Sequence, residues 1–147
     1  MISVAVQTEA FDTAAITAKL TAGRSDVGAV VTFTGHVRSD DGLIALTLEH
    51  YPAMTQRALE GIAAEAAARW PLTGGAVVHR VGRLLPGEAI VVVATASAHR
   101  AAALEAAAFL MDWLKTRAPL WKAEERKGGT TWVAARADDD TAAARWD

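Results

Sequence analysis

The sequence of 147 residues predicts an α+β fold with antiparallel sheets. Three observations carry that prediction. Short β-rich runs come mainly in adjacent pairs. Helix-forming stretches lie between those pairs, so the strands do not alternate regularly with helices as in a doubly wound parallel sheet. Alanine, at 34 positions, concentrates in those stretches, and alanine is the best helix former because it loses no side-chain entropy. The length fits one domain, residues 1–147, with a sizeable core.

The elements follow in order. Ile2, Val4 and Val6 alternate with Ser3, Ala5 and Gln7, as in a strand. Asp12 caps a helix over Thr13 to Ala22, and Gly23 stops it. Val27 to Arg38 and Leu43 to Tyr51 are β-rich and flank Asp40-Asp41-Gly42, which predicts a hairpin. Pro52 opens a helix to about Trp70, before Pro71. Strands are expected at Ala76 to Val81 and Ala89 to Thr95, around a turn at Leu85-Pro86-Gly87-Glu88. Ser97 is expected to cap a helix from about Ala98 to Arg117, ended by Pro119. Leu120 to Arg126 and Thr130 to Ala135 read as a last hairpin, and the acidic tail from Asp138 as a further helical turn.

Composition excludes several classes. Cysteine is absent, so this chain carries no disulfide, thiolate metal site, cysteine nucleophile or persulfide. A net charge of −2 gives no reason to expect nucleic-acid binding. No apolar run approaches the roughly 20 residues of a membrane span. The start lacks the basic and apolar regions of a signal peptide, so the expected location is cytoplasmic. Gly82 and Gly87 have P-loop spacing, but Glu88-Ala89 stands where lysine and serine or threonine are needed. His36, His50, His79 and His99 lack metal-ligand spacing.

Four features could carry chemistry. Thr32, Thr34, His36 and Arg38 share one strand face that ends at a loop, suited to an anion or simply to solvent. In the third helix Leu104, Met111 and Lys115 fall in one stripe, so Lys115 projects from the apolar side. It either snorkels or is partly desolvated, which lowers a lysine pKa and creates a usable base. His99 and Arg100 sit at the opposite helix end, where cations oppose the dipole; they meet a phosphate or point into water. Lys115, Arg117, Lys122, Arg126 and Lys127 face only Glu124 and Glu125, a basic patch sized for one phosphate or carboxylate. An ordinary charged outer face would read the same way.

The blocks Phe33-Thr34-Gly35-His36-Val37-Arg38, Leu48-Glu49-His50-Tyr51 with Met54, and His79-Arg80-Val81-Gly82 with Gly87-Glu88 occur in that order. Ser97-Ala98-His99-Arg100, Asp112-Trp113-Leu114-Lys115, Pro119-Leu120-Trp121-Lys122-Ala123-Glu124 and Trp132-Val133 follow. In order and spacing the chain resembles the large, catalytic subunits of molybdopterin synthase over nearly its whole length. The resemblance implies an α/β-hammerhead type of fold. It also implies conversion of cyclic pyranopterin monophosphate to the dithiolene molybdopterin. Sulfur arrives on the thiocarboxylated C-terminus of a small ubiquitin-like subunit, with no metal and no cofactor on this chain. The implied assembly is a homodimer with a small subunit at each end, a heterotetramer.

By the same resemblance Lys115 is the essential lysine and Lys122 the second catalytic lysine. His36, Val37 and Arg38, together with Lys122, Ala123 and Glu124, bind substrate. His99 and Arg100 form a phosphate or pterin site supplied across the dimer, and Phe33 and Met111 line the channel for the partner's tail. His36 stands where relatives often carry lysine, and Ala123 where they often carry a basic residue. The alternative is a non-catalytic module that binds a ubiquitin-like protein or an anionic metabolite. Lys115 on an apolar stripe discriminates, because docking needs no desolvated amine.

Overall fold

The computed structural model describes residues 1–134 and 136–147. Two four-stranded sheets form the framework. The first sheet orders β1 (Ile2–Gln7), β4 (Leu72–Arg80), β6 (Ala89–Ser97) and β2 (Ala29–His36) side by side. The second orders β5 (Gly82–Leu84), β3 (Ala45–His50), β7 (Leu120–Arg126) and β8 (Gly129–Val133). Every pairing is antiparallel except β1 with β4.

Four helices complete the fold: α1 (Thr13–Thr21), α2 (Pro52–Arg69), α3 (Arg100–Arg117) and α4 (Ala137–Ala144). α2 packs on β1 and α3, α3 also packs on β6, β2 and α4, and α1 touches β2, β4 and β6. The main core joins Leu59 and Ile62 of α2 to Val77, Val91 and Val93 of the sheet and to Phe109, Leu110, Trp113 and Leu114 of α3. Phe109 is fully buried, so truncating it to alanine costs about 3–5 kcal/mol. A smaller core of Val37, Leu46, Leu48 and Leu84 lies beside the second sheet.

Several local expectations hold. Asp12 Oδ1 accepts the Ala15 N–H at 3.1 Å, and Gly23 follows α1 at φ +68°. The Leu85–Glu88 turn and the β7–β8 hairpin are present. The last position expected in that hairpin, Ala135, lies outside the described residues.

Other expectations are corrected. β2 and β3 do not form a hairpin: β2 pairs with β6, and β3 with β5 and β7. The Asp40–Leu43 turn exists, with Asp41 and Gly42 at positive φ, but it carries the chain from one sheet to the other. The physical reason is burial, since Leu46 and Leu48 reach Leu84 and Val37 only from the second sheet. β5 has three residues, too few to show a period. Ser97 belongs to β6 rather than capping α3: its hydroxyl donates to the Pro71 carbonyl at 2.9 Å. His99 is the N-cap residue of α3, without a side-chain cap.

Candidate active site

A cleft of about 790 Å³ opens where the two sheets part. Phe33, Gly35 and His36 of β2 line it, with Val37 and Arg38 just beyond. The register of β2 against β6 shifts between Gly35 and His36. That irregularity breaks the period of two, so consecutive residues line one cavity. A Cβ at Gly35 would stand 2.9 Å from Val91 Cγ1, so any side chain there crowds the wall.

Met111, Leu114 and Lys115 come from the last turns of α3. The predicted stripe lies at the edge of the buried arc rather than at its centre. Ala103, Ala106, Phe109, Leu110, Trp113 and Leu114 are buried, whereas Leu104 is 55% exposed. Lys115 therefore owes its setting to the cleft walls. It retains surface open to solvent, yet protein surrounds its amine closely enough that burial lowers its pKa. Lys122 pushes in the same direction, Asp139 opposes it, and Arg136 adds a further lowering.

Lys122 and Glu124 reach the cleft from β7, opposite Leu48 and Leu46 of β3. Glu124 pairs with Arg126 at 2.7 Å rather than with Lys122. Among the described residues neither Lys115 nor Lys122 has an ion-pair partner. Two unneutralised amines at one cavity suit an anion. Ala123 is a correction: it is buried with the opposite parity on β7, level with Thr47 and Trp132, and does not line the cleft. Arg38 lies at the rim, with its guanidinium 3.3 Å from Asp40 and largely in solvent.

His99 and Arg100 are exposed at the N-terminal end of α3 and do not line this cleft. Fifteen helical steps separate Arg100 from Lys115, roughly 22 Å at the α-helical rise.

Sequence reasoning missed four contributors. His79 of β4 is buried, lines the cleft and has its pKa lowered to about 4, chiefly by burial. Its Nδ1 lies 2.7 Å from the Arg80 carbonyl, so Nδ1 carries the proton and Nε2 is the free acceptor. Arg136 and Asp139, beside and within α4, line the cleft near Lys115. Thr55 is fully buried; its hydroxyl donates to the Pro119 carbonyl at 2.8 Å and accepts the Tyr51 N–H at 3.2 Å. It thus pins the bend between Lys115 and Lys122 to the start of α2. The one available signal was Thr55 in the first turn of a helix opened by proline.

Solved structures place this architecture in a class, proteins of molybdopterin biosynthesis. "Molybdopterin biosynthesis MoaE protein" from Burkholderia ambifaria superposes with a TM-score of 0.85 at 50% identity, covering 99% of this chain and 98% of that one. Molybdopterin synthase from Staphylococcus aureus gives 0.80 at 30% identity, covering 88% and 95%. Among curated relatives, the molybdopterin synthase catalytic subunit of Mesorhizobium japonicum is 56% identical, over 98% of this chain and 92% of its own length. That of Escherichia coli is 56% identical over 85% of each. A family model for the MoaE protein matches residues 6–117. The chain belongs to the MoaE protein family. Among its described residues no helix is long and apolar enough to cross a membrane.

Proposed function

We propose that this chain is the catalytic subunit of a molybdopterin synthase, a single large-subunit domain over residues 1–147 working in the cytoplasm. Its cleft takes cyclic pyranopterin monophosphate and the thiocarboxylated C-terminal tail of a small ubiquitin-like subunit. The observation that carries this reading is the convergence of Lys115 and Lys122, both without ion-pair partners among the described residues, on one cavity with the Lys115 pKa lowered. Phe33 and Met111 wall the channel for the tail.

The thiocarboxylate sulfur bonds to a substrate carbon as that carbon's bond to oxygen breaks; the oxygen leaves on the ring-opened phosphate ester in one transfer and as water in the other. Water then adds to the acyl carbon, and the acyl carbon–sulfur bond breaks. Sulfur stays on the pterin and a carboxylate stays on the tail; a second tail supplies the second sulfur. Lys115 as a free amine takes the water's proton, and as an ammonium it stabilises the oxyanion of the tetrahedral intermediate. Lys122 supplies fixed positive charge, and His36, Val37 and Arg38 hold the phosphate end at the rim.

His99 and Arg100 serve the cleft of a second copy, because the length of α3 keeps them from their own. Exposed aromatic surface on the second sheet supports self-association: Trp132 is 58% exposed, and Trp121, 44% exposed at the margin of the cleft, meets exposed Tyr51 edge-on. With a small subunit at each end the assembly is a heterotetramer.

The test mixes the chain with thiocarboxylated small subunit and the pyranopterin. Dithiolene product supports the reading. Tight binding of both without product would instead favour a docking module. At substrate well below KM, mixing Lys115→Ala with Arg100→Ala should restore activity in mixed dimers beyond the sum of the two alone; failure to complement places His99 and Arg100 outside the site.

A further inference from the structure

Arg80 is a buried cation at the end of β4 that does not line the cleft. Its Nε and Nη2 donate to the Thr8 carbonyl at 3.1 and 2.9 Å, and Nη1 donates to the Ala89 carbonyl at 3.3 Å. Nη1 also lies 3.5 Å from Oε1 of Glu88. The second oxygen of that carboxylate, Oε2, accepts the Leu85 N–H at 2.6 Å. The Glu88 N–H in turn donates to the Leu85 carbonyl at 3.0 Å, so one residue closes the Leu85–Glu88 turn twice. These contacts keep Glu88 ionised, with its pKa lowered first by the Leu85 N–H and further by Arg80.

The turn is fastened to the end of β2. Val37 N–H donates to the Glu88 carbonyl at 2.9 Å, and Gly87 N–H donates to the Val37 carbonyl at 2.7 Å. The Gly87 carbonyl lies 3.3 Å from His36 Nδ1. Gly87 adopts φ +92°, which favours glycine. These bonds lead to His36 and Val37, the residues immediately before Arg38.

We propose that Arg80 and Glu88 are positioning residues: the pair fixes the Leu85–Glu88 turn and through it sets the His36–Arg38 segment at the cleft rim. This rests on the reading that the segment binds the substrate's phosphate. A cation buried at the end of β4 needs a partner, and the carboxylate that serves it also ties the turn, so the charge pair and the rim stand or fall together. Lys115 is on α3, outside this set of bonds. The pair therefore governs ground-state binding and leaves the chemical step alone.

The experiment uses the full chain with its small subunit and compares Glu88→Ala with Glu88→Gln. Glutamine keeps an oxygen for the Leu85 N–H but loses the charge. Glu88→Ala should raise KM for the pterin by about tenfold with kcat within about twofold of wild type, and glutamine should fall between, as loss of uniform binding requires. Amide hydrogen exchange at Val37 and Gly87 should quicken in the same order. If Glu88→Ala does not fold, the glutamine variant decides. A folded variant with unchanged KM, or with kcat lost at unchanged KM, overturns the proposal. So does unchanged exchange at Val37 and Gly87. A wild-type chain that turns over no pterin refutes the proposed function instead, and the exchange measurement still decides the role of the pair.

Discussion

Replacing His79 by glutamine should flatten the acid limb of the protein's stability. In the folded chain His79 is 5% exposed and its pKa is lowered from 6.5 to about 4. Desolvation is the main cause, and the positive charges of Lys115 and Lys122 add to it, with His50 acting in the same direction. The Arg80 carbonyl on Nδ1 works against them. Well above pH 6.5 the imidazole is neutral in both states and contributes no pH dependence. Between pH 6.5 and 4 the unfolded chain takes up a proton that the folded chain refuses, so stability falls as the pH falls. Integrating from pH 7 to 4.5 with those two values gives a loss of about 2 kcal/mol. Asp26 and Glu88 titrate in wild type and variant alike and cancel in the comparison. The assay is denaturant unfolding of both proteins at the two pH values. Wild type should lose about 2 kcal/mol more than His79→Gln. Equal losses would refute a neutral, buried His79.

Three further outcomes are expected. In the sulfur-transfer assay at saturating substrate, Lys115→Ala should lower kcat by about 10² or more, and Lys115→Arg should not rescue it, because a guanidinium keeps its proton; Lys122→Arg should keep part of the activity, and near wild-type turnover by Lys115→Arg would reduce Lys115 to an electrostatic anchor. Lys122→Met removes a charge that lowers the Lys115 pKa, so the acid limb of the pH–rate profile, where Lys115 gains its proton, should move to higher pH; a limb that stays put contradicts the coupling. Thr55→Val leaves the Tyr51 N–H and the Pro119 carbonyl without the Thr55 hydroxyl, costing about 2–4 kcal/mol, or roughly 6–13 °C in Tm for a chain of this size, read by thermal denaturation.

Where function shows in the sequence, it shows through chemistry that is local. Asp12 caps α1 because its carboxylate meets the Ala15 N–H only three residues on. Lys115 and Lys122 stand out because a basic cluster interrupts an otherwise acidic chain. Pairing partners are different in kind. The Asp40–Leu43 turn has the positive φ values of a tight hairpin, yet the strands beside it enter separate sheets. Only the burial of Leu46 and Leu48 against Leu84 decides that outcome. Leu104 misleads for a related reason, since helical spacing identifies a stripe but not which edge of it meets protein. His79, Arg136 and Asp139 come to the cleft from a sheet interior and from the C-terminal segment, and no spacing links them to Lys115. Ala123 misses a cleft that Trp121, Lys122 and Glu124 line because its short side chain is buried level with Thr47 and Trp132.

The strand order also constrains how the chain is made. β1, β2 and β3 are the first three strands in sequence, and none pairs with another of the three. Their partners are β4, β6, β5 and β7, all beyond residue 71. A chain emerging from its N-terminus thus carries three apolar strands with open edges until its second half is made. Ile2 meets Gly75, and Ala29 meets Ser97, only after long loops close, which delays sheet formation and favours slow folding. During synthesis those edges are the segments most open to pairing with another chain. The cleft, assembled from both sheets and the C-terminal segment, is completed last.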